Sequence, residues 1–120
     1  MSEMKLTIES LDRFAADTLD MARALDRGER SEHGPVFAFE SVEGLLSTLT
    51  SNRWAVLRTL RQRGPSSIRA LSQALGRDYR AVHADVTALL GAALIERDAD
   101  GRIFVPWTRI SAEFDLESAA

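Results

Sequence analysis

An α+β fold is predicted for this chain of 120 residues, and three observations predict it. Apolar residues recur at three- to four-residue spacing in several windows, the period of helices that bury one face. Runs rich in strand formers stand at residues 5–9 and 36–39, away from the longest helical stretch. Asp100-Gly101 separates two further strand-like runs, the signal of a tight hairpin.

Taken in order, Lys5 to Glu9 alternates polar and apolar residues and reads as a strand, with Ser10 placed to cap a helix after it. Leu11, Phe14, Ala15, Leu19, Ala22 and Leu25 mark the buried stripe of that amphipathic helix, which Gly28 stops. Arg30 to Pro35 is turn-prone, and Val36-Phe37-Ala38-Phe39 is a second strand. From Ser41 to Arg63 the positions Leu46, Leu49, Trp54, Leu57 and Leu60 argue helix, broken near Thr50-Ser51-Asn52, where short polar side chains compete for backbone bonds.

Gly64-Pro65 ends that helix, Ser66 or Ser67 caps the next, and Ile68, Leu71 and Leu75 give the next one buried stripe. After the turn residue Gly76, Asp78 caps a helix whose inward face is Tyr79, Val82, Val86 and Leu89 and whose outward face is Arg80, His83, Ala84 and Thr87. Leu94 to Arg97 and Arg102 to Val105 form a two-stranded ribbon around Asp98-Ala99-Asp100-Gly101. Helix, turn, helix and ribbon in this order make a winged helix-turn-helix core. It is expected over residues 42–106, preceded by a strand-helix-strand extension at 1–41. The tail at 107–120 carries Trp107, Ile110, Phe114 and Leu116, which pack back as a short helix or strand.

Charge is distributed unevenly. Residues 1–41 carry five basic and nine acidic residues, a local charge of −4, whereas residues 50–91 carry seven arginines against Asp78 and Asp85, a local charge of +5. The whole chain is at −3, but attraction to phosphate follows the local field, so the segment 50–91 remains a candidate for nucleic acid, or else a solvated arginine-rich surface. There is no cysteine, hence neither disulfide nor thiolate. Met1 to Ser10 lacks an apolar leader and no stretch reaches the length of a membrane span, so a cytoplasmic location is expected.

Candidate contacts concentrate on the second helix of the motif. Arg80 suits a bidentate contact with guanine and Arg77 a phosphate, while both also suit ion pairs with Asp78 and Asp85. His83 either donates to a phosphate or lies over Tyr79 on the same helix, and Thr87 stands one turn further along the outward face. Ser66, Ser67 and Arg69 fit backbone-positioning contacts, which ordinary capping does not preclude. Arg102 reaches from the ribbon toward the backbone or pairs with Glu96 across the strands; Asp98 and Asp100 beside it repel phosphate. His33 and His83 are far apart, no HExxH or Gly-rich phosphate loop occurs, and Asp98-x-Asp100-Gly101 lacks the remaining ligands of a calcium loop. Neither an enzyme nor a cofactor or metal site is expected.

Ser41-Val42-Glu43, Leu49-Thr50, Arg53-Trp54, GRDYRAVHADV, LIERDADGRIFVP and AEFDL occur in that order over nearly the whole chain. On these pieces the chain resembles the small prokaryotic transcriptional regulators with a MarR-like winged helix-turn-helix. It departs from their pattern at Ala81, Ala84 and Ala93, where relatives tend to carry Asn, a basic residue and Gly. The resemblance implies a double-stranded DNA-binding regulator, a repressor that in some relatives looks like the antitoxin of a toxin–antitoxin pair. A winged helix usually reads two half-sites as a homodimer. Leu6, Ile8, Phe37, Phe39, Phe114 and Leu116 are the candidates for a small sheet that either completes the core or meets a second copy. The alternative is a protein-interaction module that binds a small partner such as a toxin without reading DNA.

Overall fold

The computed structural model describes residues 2–8, 19–20, 22–23, 26, 34–114 and 116. The element order is β1 (Glu3–Ile8), β2 (Val36–Phe39), α1 (Val42–Thr48), α2 (Ser51–Arg63), α3 (Ile68–Leu75), α4 (Tyr79–Gly91), β3 (Glu96–Arg97), β4 (Ile103–Phe104) and β5 (Arg109–Ala112). The fold is α+β, with a three-stranded parallel sheet and a separate antiparallel hairpin. Residues 19–20, 22–23 and 26 are helical, and Leu19 and Ala22, expected on a buried stripe, are exposed. The rest of the helix expected from Leu11, with its Ser10 cap and Gly28 stop, lies outside the described residues. Among the described residues no helix is long and apolar enough to cross a membrane.

The chain divides into two compact units, Met1–Leu45 with Thr108–Ala120, and Leu46–Trp107. In the first, β1 is the central strand and the order is β2-β1-β5. Alternation sorts the strands by face: the register sets Leu6 beside Phe37 and Ala112, Ile8 beside Phe39 and Met4 beside Ile110, and Met4 and Leu6 are buried. Phe37 and Phe39 meet edge-on, 5.0 Å between centroids. Phe114 and Leu116, expected in this sheet, lie beyond β5 and are exposed; Ile110 takes that role, because β5 ends at Ala112. Thr108 ties β5 to the start of β1 by donating its amide and hydroxyl to the Ser2 carbonyl, at 2.9 and 2.8 Å.

The second unit is built on α2. The break expected near residues 50–52 falls at Leu49-Thr50, where Thr50 caps α2 by accepting the Arg53 amide at 3.3 Å. Val56, Leu57 and Leu60 are its buried stripe, and α3 and α4 pack against it. Ser67 caps α3 by accepting the Ala70 amide at 3.1 Å. The inward side of α4 is Val82, Val86 and Leu89, each fully buried, and with Leu60, Leu71, Leu94, Ile95 and Ile103 they make the core. Tyr79, expected on that side, is exposed: at the first helical position its ring faces the Arg69 head rather than an apolar partner. Asp78 occupies the cap position of α4, but its carboxylate accepts no amide there.

The ribbon follows the expected chemistry. Asp98 donates its amide to the Arg102 carbonyl at 2.8 Å, Gly101 donates to the Asp98 carbonyl at 3.1 Å, and Gly101 takes φ 80°, a conformation that favours glycine. Asp98 Oδ1 accepts the amides of Asp100 and Arg102 at 3.0 and 2.9 Å, which closes the tip. Ser66 pairs with Ile103 through two backbone bonds of 2.9 Å, so the segment before α3 runs as a third member beside β4. Arg61 Nη1 donates to the Val105 carbonyl and Trp107 Nε1 to that of Ala93, each at 3.1 Å, anchoring the exit of the ribbon to α2 and to the end of α4.

Two helix ends use one device with different residues. Behind α3, Gly76 and Arg77 donate their amides to Gln73 and Ser72; behind α4, Ala93 and Leu94 donate theirs to Leu90 and Leu89. The left-handed residue is Gly76 (φ 65°) in the first and Ala93 (φ 61°) in the second. A left-handed L-residue costs about 1–2 kcal/mol and glycine's extra unfolded-state entropy offsets part of that. Ala93→Gly is therefore expected to stabilise the protein by about 0.5–1 kcal/mol. Gly76→Ala, whose added Cβ meets nothing within 4 Å, loses a comparable amount through backbone strain alone. Urea midpoints moving in opposite directions would verify the pair, and equal midpoints would contradict it.

Candidate functional site

The exposed side of α4 and the adjoining part of α3 hold most of the sequence-derived candidates. Because Val82, Val86 and Leu89 turn inward, helical period sets Arg80, His83, Ala84 and Thr87 on the opposite side, and all four are exposed. Arg69 of α3 lies 5.7 Å over the Tyr79 ring, and that ring is 5.9 Å from the His83 ring. Thr87 donates its hydroxyl to the His83 carbonyl one turn back, at 2.9 Å. Guanidinium, phenol and imidazole thus follow one another along this surface, the two rings tilted by 43°. The surface offers cationic and donor groups to an anion and flat faces to a base or sugar.

The remaining candidates are elsewhere. Ser67 sits at the start of α3 with its hydroxyl accepting from Ala70. Ser66 is buried, bonded to Ile103 through its backbone and to the Gly64 carbonyl through its hydroxyl at 2.9 Å, so the surface-contact role expected of it is corrected to a structural one. Arg102 is exposed on the ribbon, where Glu96 faces Phe104 across the strands. At the same tip it is Arg97 whose Nη1 donates, to the Gly101 carbonyl at 3.3 Å.

Arg77 follows the ion-pair alternative. Its Nη2 is 3.0 Å from Asp85 Oδ2, while Asp85 Oδ1 accepts Arg53 Nε at 3.1 Å. Arg53 further donates Nη1 to the Ser47 and Thr48 carbonyls at the end of α1, at 3.3 and 3.2 Å. The side chains of Arg53, Arg77 and Asp85 are only 23, 25 and 13% exposed. One carboxylate therefore joins the ends of α1 and α2, the turn before α4 and the middle of α4. Arg53 is not among the sequence candidates; its pairing spans 32 positions and leaves no periodic trace. Among the described residues no group of three or more His, Cys, Asp or Glu is placed to hold a metal ion.

Residues 48–112 match the family model HVO_A0114, a stretch of more than half the chain. No curated protein and no solved structure matches the chain.

Proposed function

The chain belongs to the HVO_A0114 family over a stretch that holds α2, α3, α4 and the hairpin, and we propose that this module is a winged helix-turn-helix that reads double-stranded DNA as a transcriptional repressor. The observation that carries the reading is the outward side of α4. It is polar, cationic and exposed at Arg80, His83 and Thr87, and it is extended by the Arg69–Tyr79 contact, over an inward side that is wholly apolar. A helix of this kind fits a major groove, where Arg80 pairs with a guanine edge while Arg69 and Ser67 meet phosphates. The hairpin with Arg102 then lies against the neighbouring backbone. A homodimer reads two half-sites about 34–36 Å apart, and β2 and β5, the edges of the sheet, are the surfaces offered to the second copy.

Fluorescence anisotropy against the protein's own upstream DNA and a scrambled duplex, over a salt series, tests this. The expected result is tighter binding to the upstream duplex. On a double-logarithmic plot the affinity falls with salt at a slope of about −2 per protomer, from the phosphates that Arg69 and Arg102 neutralise. Equal binding to both duplexes, or none, would overturn it. Leu46 and Trp54, large apolar side chains left exposed in the same unit, favour a second reading in which the module docks a protein. An affinity for a co-purified neighbour that salt leaves unchanged would select that reading.

A further inference from the structure

Asp85 is the acid that the basic segment keeps inside. Residues 50–91 have seven arginines, and of their two carboxylates Asp78 is exposed whereas Asp85 is largely enclosed between two guanidinium groups. Arg77 stands just before α4, between Gly76 and the cap residue Asp78. An arginine in that position with its head in solvent would be a phosphate ligand. Instead Nη2 is on Asp85 and Nη1 is buried, without a hydrogen-bond partner among the described residues. The carboxylate is anchored on its other side, because Oδ1 accepts from Arg53, which is itself bonded to two carbonyls of α1.

We propose that Asp85 limits sequence-independent DNA binding by holding Arg77 back from phosphate, so that base contacts from α4 make up a larger share of the affinity. The proposal rests on the DNA-binding reading and adds to it a determinant of specificity that touches no base. Affinity for any duplex grows with each neutralised phosphate, whereas discrimination grows only with base contacts. A carboxylate that occupies an arginine at the groove entrance lowers the first without touching the second.

The test measures the salt slope on the upstream duplex and on its scrambled version for wild type, Arg77→Ala, Asp85→Asn and the double variant. Each phosphate contact contributes about 0.9 to the slope. Arg77→Ala is expected to keep the wild-type slope. Asp85→Asn, which keeps the shape and removes the charge, is expected to steepen it by about 0.9 and to narrow the preference for the upstream duplex. The double variant, whose formal charge equals that of wild type, is expected to return to the wild-type slope. A slope flattened by about 0.9 in Arg77→Ala overturns the proposal, since Arg77 would then already neutralise a phosphate. So does an unchanged slope in folded Asp85→Asn, or a steeper slope that persists in the double variant. Should Asp85→Asn fail to fold by circular dichroism, Arg77→Ala decides alone, because Asp85 keeps Arg53 there. Failure of wild type to bind either duplex overturns the DNA-binding reading and this proposal together; wild-type binding with a flattened Arg77→Ala slope overturns this proposal only.

Discussion

Leu71→Ala is expected to cost about 2–5 kcal/mol, the largest loss of stability among single truncations of α3. This helix has eight residues, too short to persist without tertiary packing. Leu71 is its one large side chain that is fully buried; Ile68 and Leu75 are only partly covered, and Ser72, the other buried residue, spends its hydroxyl on the Arg69 carbonyl at 2.8 Å. Truncation removes the transfer energy of the lost methyl groups and leaves a cavity bounded by α2 and α4, which cannot collapse without shifting each other. Domains of this size are stable by about 5–15 kcal/mol in all, so the loss is a large fraction. A fall in urea midpoint with an unchanged denaturant slope is the expected signature. Leu46→Ala, at a side chain 58% exposed, should stay within about 0.5 kcal/mol; similar shifts for the two would show that α3 is not held through Leu71.

Arg80→Ala should lower affinity for the upstream duplex by about 1–3 kcal/mol, roughly 5- to 150-fold, and relax preference at one base position. Arg80 is exposed on the first turn of α4, and in the proposed reading that helix end enters a groove, where a bidentate guanidinium would read the guanine edge. Arg69→Ala provides the contrast. Its head lies over Tyr79 on the adjoining helix, and its loss should weaken upstream and scrambled duplexes alike while flattening the salt slope by about 0.9. Equal losses on both duplexes for Arg80→Ala would assign Arg80 to phosphate rather than to a base.

The local parts of the structure were legible because local signals carry them. The hairpin follows from Asp100-Gly101, the start of α3 from Ser67, and the inward side of α4 from Val82, Val86 and Leu89 at helical spacing. Periodicity misplaced Tyr79, since spacing specifies a direction but not whether an apolar neighbour waits there; at the first turn of α4 the neighbour is Arg69. A cap position was readable at Asp78, yet the carboxylate's orientation was not, because it depends on side-chain torsions outside any sequence pattern. The pairing partners of the strands were equally hidden. A strand was expected near the start of the chain and a short helix or strand in the tail, but the parallel register of β1 and β5, Met4 beside Ile110, is set by contacts more than a hundred residues apart. The candidate surface was legible to the same extent: α4 yielded Arg80, His83 and Thr87, whereas the Arg53–Asp85–Arg77 cluster was visible only as an arginine excess.

The position of β1 between its two neighbours has a consequence for how the molecule is assembled. Its β2 edge can be satisfied early in synthesis, but its other edge waits for β5, which comes after the entire Leu46–Trp107 unit. That unit is contiguous in sequence, and its helices and hairpin close over short separations, so its contacts form at a lower loop-closure cost than the β1–β5 ladder. Ordering of the helices before completion of the sheet is the kinetically favoured route, and until β5 arrives the nascent chain carries an unpaired β1 edge, the period in which a chaperone or a neighbouring nascent chain competes for it.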